Sequence, residues 1–116
     1  MTSFFKRLFG SGGPVVGRLT PQEAQAMLKG GAIMLDVRTP LERSAYRIPG
    51  SKAMPLNDLQ RAFESLPQDR DIICQCASGS RSAGAARFLA GRGYKAHNLA
   101  GGISAWQQAG LPLKRG

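Results

Sequence analysis

The chain has 116 residues, of which 42% are hydrophobic and 20% charged, the size and composition of one ordinary globular domain, which argues against a two-domain enzyme. Its net charge is +9, but Lys6, Arg7, Arg18, Lys114 and Arg115 stand in the two ends, so residues 19–113 carry eleven Lys and Arg against seven Asp and Glu. A basic domain with no run of cations and no aromatic-interleaved stripe suits small anions and gives no reason to expect nucleic acid as a partner.

Residues 1–14 hold Phe4, Phe5, Leu8 and Phe9 beside Lys6 and Arg7, followed by Gly10-Ser11-Gly12-Gly13. A flexible N-terminal tail is expected there rather than a membrane or partner anchor, because so short a helix is marginal alone. One domain is expected over residues 15–116. It opens with a short edge strand over 15–19. Thr20-Pro21-Gln22-Glu23 then reads as a capping box with proline at the first helical position, and the helix it starts stops at Gly30-Gly31. Residues 32–37 form a continuous apolar run ending in Asp36, the pattern of a strand buried on both faces of a parallel sheet.

Thr39-Pro40-Leu41-Glu42 repeats the capping chemistry, so a second short helix follows that strand and breaks before Pro49-Gly50. A brief strand is predicted over 52–54, a helix over 56–66 with Leu59, Ala62, Phe63 and Leu66 on one face, and a buried strand over 71–76. After a small-residue loop, a helix is expected over 81–91, a strand over 95–99 and a last helix over 103–109. About five strands alternating with helices predict a small, open, mainly parallel α/β sheet, whose sites fall at the carboxyl ends of strands.

Two cysteines and one histidine cannot supply four Cys/His ligands, so no structural metal is expected. Cys74 and Cys76 share one face of a strand at a spacing poorly suited to an unstrained disulfide. No apolar run is long enough to span a bilayer and no long apolar leader core is present, so the expected compartment is a reducing cytoplasm.

Cys76-Ala77-Ser78-Gly79-Ser80-Arg81 is the most informative segment. It puts a thiol at the end of a predicted central strand and just before a predicted helix, where backbone N–H groups and the positive end of the helix dipole favour a thiolate or an anion bound to it. Gly79 lets the loop curl closely and Arg81 supplies a cation at its far edge. Cys74, inside the strand, is expected to be core. His97 is expected to be structural, and Trp106 to anchor the last helix.

At this point the sequence resembles the rhodanese family, as a single-domain rhodanese-like protein, from about Leu19 to Pro112. The likeness rests on Leu35-Asp36-Val37-Arg38 followed by Thr39-Pro40-x-Glu42, on Ile48-Pro49-Gly50-Ser51, on the loop from Cys76 to Arg81, and on Gly101-Gly102-Ile103-x-Ala105-Trp106 with Gly110-Leu111-Pro112. It implies a sulfurtransferase in which Cys76 takes sulfane sulfur from thiosulfate or a persulfide or polysulfide, holds it as a persulfide, and yields it to a thiol or cyanide. The thiol acceptor could itself be a protein. No cofactor or metal is implied.

The loop residues Ala77, Ser78, Gly79, Ser80 and Arg81 would bind substrate, the amides acting as an oxyanion hole. Asp36 and Arg38 are candidates for supporting the loop from behind. Asp36 either pairs with Arg81 or accepts loop N–H bonds, or it caps the helix region at Thr39; for Arg38, solvent or a structural ion pair is expected ahead of substrate. The sequence departs from the family pattern at Arg47, where His is usual, and at Tyr46, where a small residue is usual. The loop also has no cation before Arg81, which puts thiosulfate in doubt as the donor. Two alternatives are a non-enzymatic sulfur carrier or partner-binding module and, ranked lower, a phosphatase or arsenate reductase. The related phosphatases use Cys-x5-Arg, whereas Cys76 and Arg81 are separated by four residues.

Overall fold

The computed structural model describes residues 16–116; the expected N-terminal tail over 1–14 lies outside them. The elements in order are β1 (Gly17–Leu19), α1 (Pro21–Lys29), β2 (Ile33–Asp36), α2 (Pro40–Ala45), β3 (Tyr46–Arg47), β4 (Lys52–Ala53), α3 (Leu56–Ala62) with a 3-10 turn (Phe63–Ser65), β5 (Asp71–Gln75), α4 (Ser80–Ala90), β6 (Lys95–Leu99), α5 (Gly102–Gln108) and β7 (Lys114–Arg115). Five strands form one sheet in the order β1-β6-β5-β2-β4, and every pairing in it is parallel. This is the expected open α/β sheet. Among the described residues, no helix is long and apolar enough to cross a membrane.

Both capping boxes form. Thr20 accepts from the Glu23 N–H while Glu23 accepts from the Thr20 N–H, and Thr39 and Glu42 make the same reciprocal pair; each satisfies N–H groups that a helix start otherwise leaves unpaired. The predicted helix over 56–66 is shorter, because α3 tightens into the 3-10 turn after Ala62. A second, two-stranded antiparallel sheet of β3 and β7 was not expected from the sequence. It pairs Tyr46 with Arg115 and Arg47 with Lys114, tying residues 114–115 to the turn before Ile48-Pro49-Gly50.

The sheet has an apolar layer on each face. Leu35, Val37, Ile72, Cys74 and Cys76 pack with Ala85, Ala86 and Leu89 of α4 on one side. On the other, Met34, Ile73 and Leu99 pack with Ala24 of α1 and with Ile103 and Trp106 of α5. The period-two alternation along β2 and β5 sends successive residues to opposite layers. Trp106 anchors α5 as expected, with its indole N–H donating to the Pro112 carbonyl at 2.8 Å. His97 pairs with Asp71 at 2.8 Å.

Candidate functional site

Cys76 follows β5, the middle strand of the main sheet, and its residue is 1% exposed. The loop after it turns on Gly79, whose φ of +103 is open to glycine at little cost and which forms the N-cap of α4. No side chain caps α4. The free N–H groups face sulfur instead: the Gly79 N–H donates to Cys76 Sγ at 3.1 Å and the Ser82 N–H at 3.4 Å, with the Ser82 hydroxyl 3.3 Å from the same atom. Burial pushes the Cys76 thiol up, but hydrogen bonds from the Ser82 hydroxyl and from the Ser82, Gly79 and Ser78 N–H groups outweigh it, and the pKa is lowered. Cys74, two residues earlier, has burial without those donors, then the neighbouring Cys76 charge, and its thiol is pushed up to about 12.

The loop is held from behind by α5. The Ile103 N–H donates to the Cys76 carbonyl at 2.8 Å and the Ser104 N–H to the Ala77 carbonyl at 3.2 Å. A Cβ built on Gly102, at φ +62, would sit 2.5 Å from the Cys76 and Ala77 carbonyl oxygens. The Gly101-Gly102 motif therefore lets the start of α5 press against the loop after Cys76 with no side chain between them.

Among the sequence candidates, Ala77, Ser78, Gly79, Ser80 and Arg81 all lie on this loop and the first turn of α4. The expected pairing of Asp36 with Arg81 does not form. The Arg81 guanidinium makes a two-pronged pair with Glu42 instead, at 2.8 and 2.9 Å, and that pair is the first cause, with the Thr39 bonds, that brings the Glu42 carboxyl down to about 2 against the burial that raises it. Asp36 neither accepts a loop N–H nor caps α2 at Thr39. It accepts from the Arg38 N–H and Nε at 3.0 Å each through Oδ1, and from Arg38 Nη2 and Arg43 Nη1 at 3.0 Å through Oδ2.

Arg38 is likewise buried in the ion pair with Asp36. It is 2% exposed, donates to the Tyr46 carbonyl at 2.8 Å, and lies over the Tyr46 ring. Arg43 continues the network to the Ser51 hydroxyl and carbonyl, and the Ser51 hydroxyl closes the turn on the Ile48 carbonyl. The Asp-x-Arg and Ile-Pro-Gly-Ser motifs thus join into one buried ionic brace that fixes α2, whose Glu42 in turn holds Arg81.

Three residues of the site were not singled out from the sequence. Glu42 had a sufficient role as the third residue of a capping box, and it fills that role and the Arg81 pair together. Ser82 and Asn98 are small polar residues whose inward orientation depends on the register of α4 against β6. The Ser82 hydroxyl lies 2.6 Å from Asn98 Oδ1, and Asn98 Nδ2 donates to the Gly79 carbonyl at 3.0 Å.

The model of the rhodanese-like domain matches residues 20–109. The chain belongs to the rhodanese-like family. Over 82 residues it is 38% identical to a protein of Allochromatium vinosum named sulfurtransferase, covering 70% of this chain and 77% of that one. Over 97 residues it is 37% identical to thiosulfate sulfurtransferase GlpE of Haemophilus influenzae, covering 82% and 91%. A crystal structure of a rhodanese-related protein from Thermoplasma volcanium superposes with a TM-score of 0.81 at 30% identity, covering 84% of this chain and 97% of that one. This rhodanese-like domain and the Thermoplasma volcanium protein therefore share one architecture over most of their length.

Proposed function

We propose that this rhodanese-like protein is a sulfurtransferase that carries sulfane sulfur on Cys76. The observation that carries the reading is the convergence of the Gly79 and Ser82 N–H groups on a buried Sγ at the end of β5, which favours a thiolate where a thiol would otherwise be inert. In the first half-reaction the Cys76 thiolate attacks the outer sulfur of the donor. The new S–S bond forms as the donor's own S–S bond breaks, and the donor's remainder leaves with the electron pair, as sulfite from thiosulfate or as a thiolate from an organic persulfide. In the second, an acceptor thiolate or cyanide attacks the outer sulfur and Cys76 Sγ departs as the thiolate. The N–H groups that face the sulfur stabilise negative charge in both steps.

A slender terminal sulfur suits the enclosed position of Sγ better than a tetrahedral phosphoryl group does, which ranks phosphatase chemistry lower. The mouth beside the loop favours organic persulfides over small dianions. Its nearby cation, Arg81, is already met by Glu42, and it lines a cleft of about 160 Å³ together with the apolar Val37, Pro40, Pro55 and Leu56 and the polar Thr39 and Asn57. Leu41 and Leu56 are the exposed large hydrophobic residues among the described ones.

The test is intact mass after incubating reduced protein separately with thiosulfate and with an alkyl persulfide. One cyanide-labile sulfur on the protein, lost in Cys76→Ala and loaded faster from the persulfide, is the expected result. A folded protein that takes sulfur from neither donor would overturn the reading.

A further inference from the structure

The Ser82 hydroxyl has one hydrogen and two neighbours that could accept it. Asn98 Oδ1 is 2.6 Å away and Cys76 Sγ 3.3 Å. The Asn98 amide is not free to present its nitrogen to Ser82, because Nδ2 is committed to the Gly79 carbonyl at 3.0 Å. Asn98 and Ser82 are both buried, at 8% and 0% exposure, so no bulk solvent relieves the competition.

We infer that Asn98 is a positioning residue that competes with Cys76 for the Ser82 proton, holding the hydroxyl while the sulfur is uncharged and releasing it when Sγ is a thiolate. While Cys76 is a thiol, its own S–H can donate to Ser82 Oγ and the Ser82 hydroxyl donates to Asn98, so every group is paired. When the thiol loses its proton to water, the Ser82 hydroxyl rotates to donate to the sulfur, and Asn98 Oδ1 loses its donor. Ionisation therefore costs one hydrogen bond that it would not cost without Asn98. Resting on the persulfide reading above, the same exchange accompanies turnover. In the persulfide the charge sits on the outer sulfur and the hydroxyl returns to Asn98; when the acceptor attacks, the S–S bond breaks, its electron pair goes to Sγ, and the hydroxyl swings back to the departing thiolate. No covalent proton transfer is involved, only rotation about the Ser82 side chain.

The remaining charged and titratable groups around the sulfur do not share this role. Cys74 precedes it on β5 and stays protonated far above neutral pH. Arg81 of α4 is paired with Glu42 of α2, and Asp36 at the end of β2 is paired with Arg38 and Arg43. Elsewhere on β6, His97 is paired with Asp71 and Lys95 is exposed, while α5 has no titratable side chain.

The experiment is a double-mutant cycle on the Cys76 pKa, read from thiolate absorbance in the wild type, Asn98→Leu, Ser82→Ala and the double variant, with a folded state checked by near-ultraviolet circular dichroism. It needs no sulfur donor, so its failure is separable from failure of the sulfurtransferase reading. Ser82→Ala raises the pKa. Asn98→Leu lowers it by about half a unit to one unit, the value of one hydrogen bond, and has no such effect once Ser82 is Ala. An equal shift from Asn98→Leu in both backgrounds, or an upward shift in the wild-type background alone, would overturn the inference. Asn98→Ala removes the same acceptor and carries the same cycle if the leucine variant does not fold.

Discussion

Replacing Gly102 with alanine tests how the loop is held. Two effects can be separated by comparing it with Gly50→Ala. Both glycines have positive φ, +62 and +78, and a non-glycine residue there costs about 1–2 kcal/mol. At Gly50 an added Cβ meets nothing within 4 Å, whereas at Gly102 it would lie 2.5 Å from the Cys76 and Ala77 carbonyl oxygens. The start of α5 must withdraw, loosening the Ile103 and Ser104 hydrogen bonds to those carbonyls, worth about 1 kcal/mol each. Gly102→Ala is therefore expected to cost about 2 kcal/mol more than Gly50→Ala, a urea midpoint about 1–2 M lower. Because the withdrawn helix no longer supports Cys76, sulfur loading in the folded protein should also slow, which Gly50→Ala should not cause. Equal midpoints and equal loading rates for the two variants would refute the argument that α5 braces the loop.

The ionic brace predicts that Asp36→Ala, which leaves the buried Arg38 uncompensated, costs about 3–5 kcal/mol in denaturant unfolding; a loss under about 1 kcal/mol would contradict it. Glu42 titrates at about 2 when folded, below the ordinary 4.5, so its contribution is complete above pH 4.5 and fades as the pH falls toward 2. Glu42→Gln should flatten the acid limb of a stability–pH curve, and an unchanged limb would contradict the pair with Arg81. Cys74→Ala should cost about 1 kcal/mol for the lost packing while leaving sulfur loading at the wild-type level by intact mass.

Local chemistry made much of the fold readable. The two capping boxes fixed where α1 and α2 begin, because each hydrogen-bonding pattern is complete within four residues. The apolar runs at 32–37 and 71–76 marked β2 and β5 as strands covered on both faces, and the loop after Cys76 followed from the strand-to-helix junction. What escaped depends on distant register. The strands β3 and β7 are two residues long, polar, and paired across most of the chain, so neither has a periodicity to read. Pairing of Arg81 with Asp36 was one of the alternatives the sequence left open, because both Asp36 and Glu42 stand near the same strand end; the pair forms with Glu42. Only the way α2 leaves β2 turns Glu42 toward α4 and Asp36 toward Arg38 and Arg43.

The claim on which the account turns is that loop hydrogen bonds lower the Cys76 pKa despite its burial. The most direct measurement is the alkylation of each cysteine against pH, resolved by peptide mass. The account predicts that Cys76 reacts with a midpoint below the ordinary thiol value while Cys74 stays unmodified in the folded protein. A Cys76 that reacts no faster than Cys74, or only above the ordinary thiol value, would contradict it.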